Sequence, residues 1–452
     1  MFKIRKSKYR HVYCDAPKVE QCWTDFRMST VTGDQQYIKA STKYFAVGMA
    51  GGGGSMVVGR LDRPGRFEAG LCPIVTGHTG AVMDMDWNPF DDSMLATGSE
   101  DTKIKIWSIP EDWEPTDEKG NAKKGENLSE SLIDLVGHQK KVTLLRYHPS
   151  CEGGLLSTSA DTSVKIWDVE SAAEVQSCEE THDLIQDIVW DYKGDNFAYS
   201  AKDKAVRFVD ARSNNVISKI EKAHEGSKSV KLVYVGETGK MFSCGASRQS
   251  AREIKVWDLA NLDKPLHTEN VDTAAGAMIP LYDHDTSVLY LAGKGDGIVR
   301  LYEYEDKAPF IFKLNDGFRS NTPGKGYCTV PKRGLNIMGH ETVRMLKVAN
   351  NEGVQPLNFY VPRKSQDFQD DIFPDTASGT PAHAFGEWWE GSSKGPVLMC
   401  LNPAKGGGAG GAAAAPKKKF KSAAVLSKEL EAANARIAML EAKLAENNIS
   451  LE

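Results

Sequence analysis

No two of the eight cysteines (Cys14, Cys22, Cys72, Cys151, Cys178, Cys244, Cys328, Cys400) form a C-x-x-C pair. That spacing argues against a disulfide framework or a zinc site and fits a reducing compartment. No apolar run approaches the roughly 18 residues of a membrane-spanning helix, and the opening FKIRKSKYRH has no apolar core of the signal-peptide kind. A cytoplasmic protein is expected. No pair of carboxylates and no His/Cys cluster has metal-ligand spacing, so neither a metal nor another cofactor is expected. The glycine run at residues 51–54 is followed by SMVVGR and lacks the lysine–hydroxyl pair of a phosphate loop, which makes it a hairpin turn. Neither sign of charge dominates, with 56 Lys and Arg against 61 Asp and Glu. The net charge is −5, and the basic stretches around Lys3–Arg10 and PKKKFK are too short to make nucleic acid a partner.

What is present is a repeat. GH at 77–78 is followed by GSEDTKIKIW, and GH at 137–138 by STSADTSVKIWD. In both copies the histidine stands 29 positions before the tryptophan, His78 to Trp107 and His138 to Trp167. In both, an aspartate, Asp101 or Asp161, stands six positions before it at a tight turn. Weaker copies run from His182 to Asp210 and from His224 to Asp258, and GKGDGIVRLYEY keeps only the turn and the strand (Asp296, Tyr302). This is the signature of a WD-repeat blade. A blade of four short strands cannot bury both faces alone, so several must close radially into a β-propeller. At roughly 40–45 residues per blade, residues 1–360 hold seven.

The repeated His, Ser/Thr, Asp and Trp read as a structural network within each blade, with Thr97 or Ser99 and Thr158 or Ser159 as its hydroxyls. A catalytic site would occur once, whereas this set recurs, and buried polar groups need partners. No catalytic residue is expected. Residues 111–130 read as an exposed polar loop between two blades. Residues 361–403 form an irregular extension anchored by Phe368, Phe373, Trp388 and Trp389, and residues 404–422 form a Gly/Ala/Lys linker.

Residues 423–452 step by 3 and 4: Ala423, Leu430, Ile437, Leu444 and Leu451 at a, with Leu426, Ala433, Leu440 and Asn447 at d. That pattern predicts a coiled-coil helix, which alone would be marginal in water and therefore pairs with copies of itself. Arg436 at g and Glu441 at the following e form its one complementary edge pair. The a/d series leaves dimer, trimer and tetramer open. Near the start of the chain, Lys6, Lys8 and Arg10 alternate; on a strand they would share one face, either protecting a sheet edge or meeting an acidic protein.

SKYRHVYCDAPKVEQCWTDFRMS, CGASRQSAREIKVWDL, VPKRGL and VPRKSQDFQDDIFPDTASGTPAHAFGEWW resemble the coronin family over nearly the whole chain. The resemblance implies a non-enzymatic propeller of the actin cytoskeleton and cell cortex. It would bind actin filaments, bundle or cross-link them, and regulate their turnover and branching. The actin-related branch-nucleating complex would be a further partner. It also implies a filament contact at Arg27, just after Cys22-Trp23, and trimerisation through RIAMLE (Arg436, Ile437, Leu440, Glu441). The alternative is a general WD-repeat scaffold in membrane traffic or signalling.

Overall fold

In the computed structural model the described residues are 5–51, 53–178, 183–349, 352–406 and 436. They form a seven-bladed β-propeller. Each blade is an antiparallel meander whose first strand lies innermost. These innermost strands are Ile38–Ala40, Val82–Trp87, Val142–Tyr147, Ile185–Trp190, Lys231–Tyr234, Met278–Asp283 and Gly324–Thr329. Each touches the next around the axis, and Gly324–Thr329 touches Ile38–Ala40, which closes the ring. The apolar cores lie between neighbouring blades. Ala96, Ile104 and Ile106 of the second blade, for example, pack on Leu145, Tyr147 and Trp167 of the third. This layout buries both faces of second strands such as Met94–Ser99 and Gly154–Ser159.

Closure depends on the start of the chain. Tyr13–Cys14 and Trp23–Thr24 both pair with Gly353–Tyr360, Tyr13 opposite Tyr360 and Trp23 opposite Val354. The N-terminal segment thus supplies the outer edge of the last blade and ties both ends of the propeller sequence into one sheet. Residues 51–54 connect Tyr44–Gly48 to Met56–Arg60, a hairpin in which Gly51, Gly53 and Gly54 adopt positive φ.

The insertion at residues 111–130 differs from its expected place. It lies within the second blade, between Ile104–Ser108 and Ile133–Leu135, and packs on the first. Trp113 is buried and donates from Nε1 to the Val58 carbonyl at 2.9 Å, and Thr116 donates to the Arg63 carbonyl at 3.0 Å. The first blade has only three paired strands, so the bridges Met56–Val75 and Val75–Leu128 fill its outer edge with help from the insertion. Two buried anchors hold a segment that its composition marks as solvated.

The extension crosses the propeller in two stretches. Ile372 and Phe373 enter the core of the sixth and seventh blades beside Tyr9, with Phe368 packed against them. The short helix Phe385–Trp389 sets Phe385 and Trp388 among Cys151, Trp190 and Phe197, with Trp389 at its edge. The calls on Leu426, Leu430, Ile437, Leu440, Glu441 and Leu444 lie outside the described residues. Arg436 alone of that segment is described, helical and exposed. No helix among the described residues is long and apolar enough to cross a membrane.

Candidate functional site

The blade networks place their members in contact. His78 Nδ1 is 2.8 Å from Asp101 and Nε2 is 2.8 Å from Thr97 Oγ1, which also accepts from Trp107 Nε1 at 2.8 Å. His138 meets Asp161 at 3.2 Å, and in this blade the hydroxyl is Ser157: it lies 2.7 Å from His138 Nε2 and accepts from Trp167 Nε1 at 2.8 Å. Neither Thr158 nor Ser159 takes that place; Thr158 bonds Thr143 and Ser159 bonds the Lys140 carbonyl. Ser99 likewise bonds the Gly80 carbonyl. Successive strand residues face opposite ways, so a slip of one or two positions changes which hydroxyl meets the ring. His224, Ser243 and Trp257 repeat the geometry, with Glu253 at 2.9 Å in place of the turn aspartate.

Burial pushes the His78, His138 and His224 pKa values down, against the pull of their carboxylates. Burial would raise Asp101, but His78 and the backbone N–H groups of Thr79 and Lys103 hold it below the usual carboxylate range. Each network ties together the strands and turn of one blade. Among the described residues no cluster of three or more His, Cys, Asp or Glu side chains is placed to hold a metal ion.

The surface has two distinct ends. Strands alternate in direction, so the start of each innermost strand and the turn between second and third strands share one end, where His78, His138 and His224 lie. Arg27 is at this histidine end. It follows Trp23–Thr24, and its carbonyl accepts from Ala50 N at 2.8 Å, in the hairpin of the first blade. Its side chain is exposed. Lys103, Lys202 and Arg248 stand in second-to-third-strand turns, Lys140 just before Val142–Tyr147, and Arg319 opposite Ile298 at the start of a third strand. All six cations are exposed, and among the described residues none has a carboxylate within ion-pair distance. Only Arg27 carries a mark in the sequence; the other five are ordinary turn residues until the hairpins assign them an end.

Lys6, Lys8 and Arg10 lie at the opposite end and do not form a strand. Residues 8–11 are a turn, closed by Val12 N donating to the Tyr9 carbonyl at 3.0 Å. The buried Tyr9 draws the chain inward there, which breaks the extended alternation. Arg5 beside them pairs with Glu303 and Glu305 and lies over the Phe312 ring, while Lys8 donates to the Asp371 carbonyl at 2.9 Å. The four candidate cations therefore do not make one patch.

Comparison with known proteins is consistent along the chain. Residues 2–66 match a family model described as a domain of unknown function (DUF1899), residues 71–108 and 129–168 a WD domain, G-beta repeat, and residues 354–396 a type of WD40 repeat. A coronin-like protein of Schizosaccharomyces pombe is 35% identical over 404 residues, which is 88% of this chain and 65% of the relative. A coronin-like protein of Saccharomyces cerevisiae is 34% identical over 405 residues, 88% of this chain and 61% of the relative. The chain thus spans less than two thirds of the length of either. The crystal structure of the WD40 domain of Toxoplasma gondii coronin superposes with a TM-score of 0.80 at 32% identity, covering 87% of this chain and 98% of that one. A chain of the mitotic checkpoint complex, at 16% identity and a TM-score of 0.53, shares the fold alone.

Proposed function

The chain belongs to the coronin family, and from that premise we propose that it binds actin filaments through the histidine end of its propeller. The observation that carries this reading is the set of six exposed, unpaired cations there, Arg27, Lys103, Lys140, Lys202, Arg248 and Arg319. Unpaired cations on one face raise the local potential and steer an acidic partner without first having to break internal ion pairs. Arg27 is also the position to which the family resemblance assigns a filament contact. Lys6, Lys8 and Arg10 belong to the opposite end and take a secondary part, reaching a second subunit or none.

The extension at 361–403 braces the propeller, the linker at 404–422 gives reach, and the heptads at 423–452 assemble the chain, with a trimer favoured by RIAMLE. Several propellers on one tether would bundle or cross-link filaments and influence turnover and branching, with the actin-related branch-nucleating complex as a further partner. The protein acts by binding rather than catalysis, in the cytoplasm at the actin-rich cell cortex.

The test is co-sedimentation of the full chain with filamentous actin. Arg27→Asp and Arg248→Glu should each weaken binding while Lys8→Asp leaves it nearly unchanged. Thermal unfolding of all three should stay close to that of the parent, since exposed charge changes cost little stability. Loss of binding on Lys8→Asp with none on Arg27→Asp moves the contact to the other end. No co-sedimentation of the parent leaves the scaffold reading.

A further inference from the structure

The innermost strands leave a channel along the propeller axis, and this chain narrows it at both ends. At the histidine end Asp34, Gln35 and Gln36 line it, on a segment held by Lys294, which binds the Gly33 carbonyl and lies 3.4 Å from Asp34. At the other end Thr376, Gly379 and Val397 of the extension line the wall. Between them is a cavity of about 590 Å³, within the roughly 300–1,000 Å³ of small-molecule sites. Its walls are mainly apolar, with Tyr192, Tyr234, Tyr282, Val330 and Leu335 among the lining residues.

Four lysine and arginine side chains line this cavity together with five aspartates, Asp34, Asp187, Asp191, Asp283 and Asp285. Arg146 pairs with Asp84 at 3.0 Å and Asp187 at 3.5 Å, Lys231 with Asp187 at 3.8 Å, and Lys332 with Asp283 and Asp285. Arg333 differs. Its Nη2 donates to the Pro89 carbonyl at 3.0 Å, and among the described residues no carboxylate lies within ion-pair distance. Its guanidinium lies flush on Gly379, where a Cβ would fall 2.3 Å from Nη1. Burial pushes its pKa down, against the weaker pull of Asp92, which lies beyond ion-pair distance.

A second observation is independent of charge. Among the described residues the hydroxyl of Tyr147, which lines this same cavity, is buried without a hydrogen-bond partner. Buried polar groups are almost always paired, so an unpaired hydroxyl on a cavity-lining residue calls for a partner.

We propose that the channel is a binding site for a small organic anion. Its apolar body would occupy the tyrosine-lined hollow, its carboxylate or phosphate would meet Arg333, and a polar group would come within reach of Tyr147. Arg333 is half-buried and its guanidinium has no carboxylate within ion-pair distance among the described residues, so a bound anion would add charge-assisted hydrogen bonds. The extension residue Gly379 leaves the room that Arg333 needs, so the site exists only when the extension is docked.

The experiment titrates the full chain with anilinonaphthalene sulfonate and follows its fluorescence. One saturable site per chain is expected, from which naphthoate or naphthyl phosphate displaces the dye while neutral naphthol does not. The better competitor identifies the anionic group. Arg333→Gln should weaken dye affinity by about ten- to a hundredfold, the range for loss of a hydrogen bond to a charged group. Tyr147→Phe should weaken it by less. Arg333→Lys, which keeps the charge and loses the fork, is expected to fall between, and it replaces Arg333→Gln if that variant fails to fold. Absence of saturable binding, equal competition by naphthol, or affinity indifferent to both Arg333 substitutions would overturn the proposal.

Discussion

The imidazole of His148 stands edge-on to the indole of Trp388, with ring centroids 4.7 Å apart. The two residues are 240 positions apart in sequence, one in the third blade and the other in the extension. His148 Nδ1 accepts from the backbone N–H groups of Ser150 at 3.2 Å and Cys151 at 2.9 Å, while Nε2 lies 2.9 Å from the Gly194 carbonyl. Two donors at Nδ1 and an acceptor at Nε2 require the neutral ring with its proton on Nε2. Arg212 closes the other side of Trp388, with its guanidinium 4.9 Å from the indole and Nε donating to the Trp388 carbonyl at 2.8 Å.

Stability should fall as pH drops below about 6.5. Burial holds the His148 pKa down at about 3, and His78, His138 and His224 are also lowered. The unfolded chain takes up these protons near pH 6.5 and the folded chain does not. The stabilisation is therefore complete above about 6.5 and is lost as pH falls toward 3. Lowered carboxylates such as Asp101 add a further loss below about pH 4. Urea midpoints measured from pH 7.5 to 4.5 test this, and a flat profile would contradict it.

Trp388→Ala should destabilise the protein by about 3–5 kcal/mol, the usual cost of emptying a buried aromatic site. The indole is fully buried, and its loss removes the ring that packs against both His148 and Arg212. Limited trypsin digestion should then cut earlier at Lys394. Unchanged melting together with an unchanged digestion pattern would show that the extension is held elsewhere.

Trp107→Ala and Trp167→Ala should each cost about 3–5 kcal/mol. Ser157→Ala should cost about 1–3 kcal/mol, because it strands His138 Nε2 and Trp167 Nε1 inside the blade. Ser159→Ala leaves that triad intact and should be the milder change. Chemical denaturation ranks all four, and a reversed order of Ser157 and Ser159 would refute the assigned network.

Truncation after Ser422 should convert a homo-oligomer, with the trimer favoured, into a monomer and weaken filament binding sharply. In the proposed assembly the 19 residues of 404–422 act as a flexible tether, for which about 5–6 Å × √n gives roughly 25 Å r.m.s., enough for linked propellers to engage neighbouring filament subunits. Avidity of this kind reaches about 10²–10⁴-fold without any new contact. Light scattering gives the mass and co-sedimentation the affinity. A monomeric full-length chain removes the coiled coil from assembly, and equal affinities mean that one propeller suffices.

The blades were legible in the sequence because their determinants are local. A histidine in the connection, an aspartate at the turn and a tryptophan on the next strand recur at fixed spacing, and period-2 apolar segments follow from strand geometry itself. The propeller follows from the inability of one blade to cover its own faces. Choosing Ser157 over Thr158 and Ser159 required the cross-strand register, since neighbouring strand residues face opposite ways and the sequence offers three adjacent hydroxyls. The insertion looked solvated because its charges outnumber Trp113 and Thr116, the two residues that anchor it. Tertiary structure alone decided that Arg27 and Lys8 stand at opposite ends. Only 19 positions separate them, but the segment between runs the length of Gly353–Tyr360 as the outer edge of the last blade. The unpaired state of Arg333 is equally invisible in sequence, because it depends on Pro89 and Gly379 arriving from distant parts of the chain without a carboxylate between them. Local chemistry fixes a blade, whereas the charges that share a surface or a cavity are set by long-range closure of the ring.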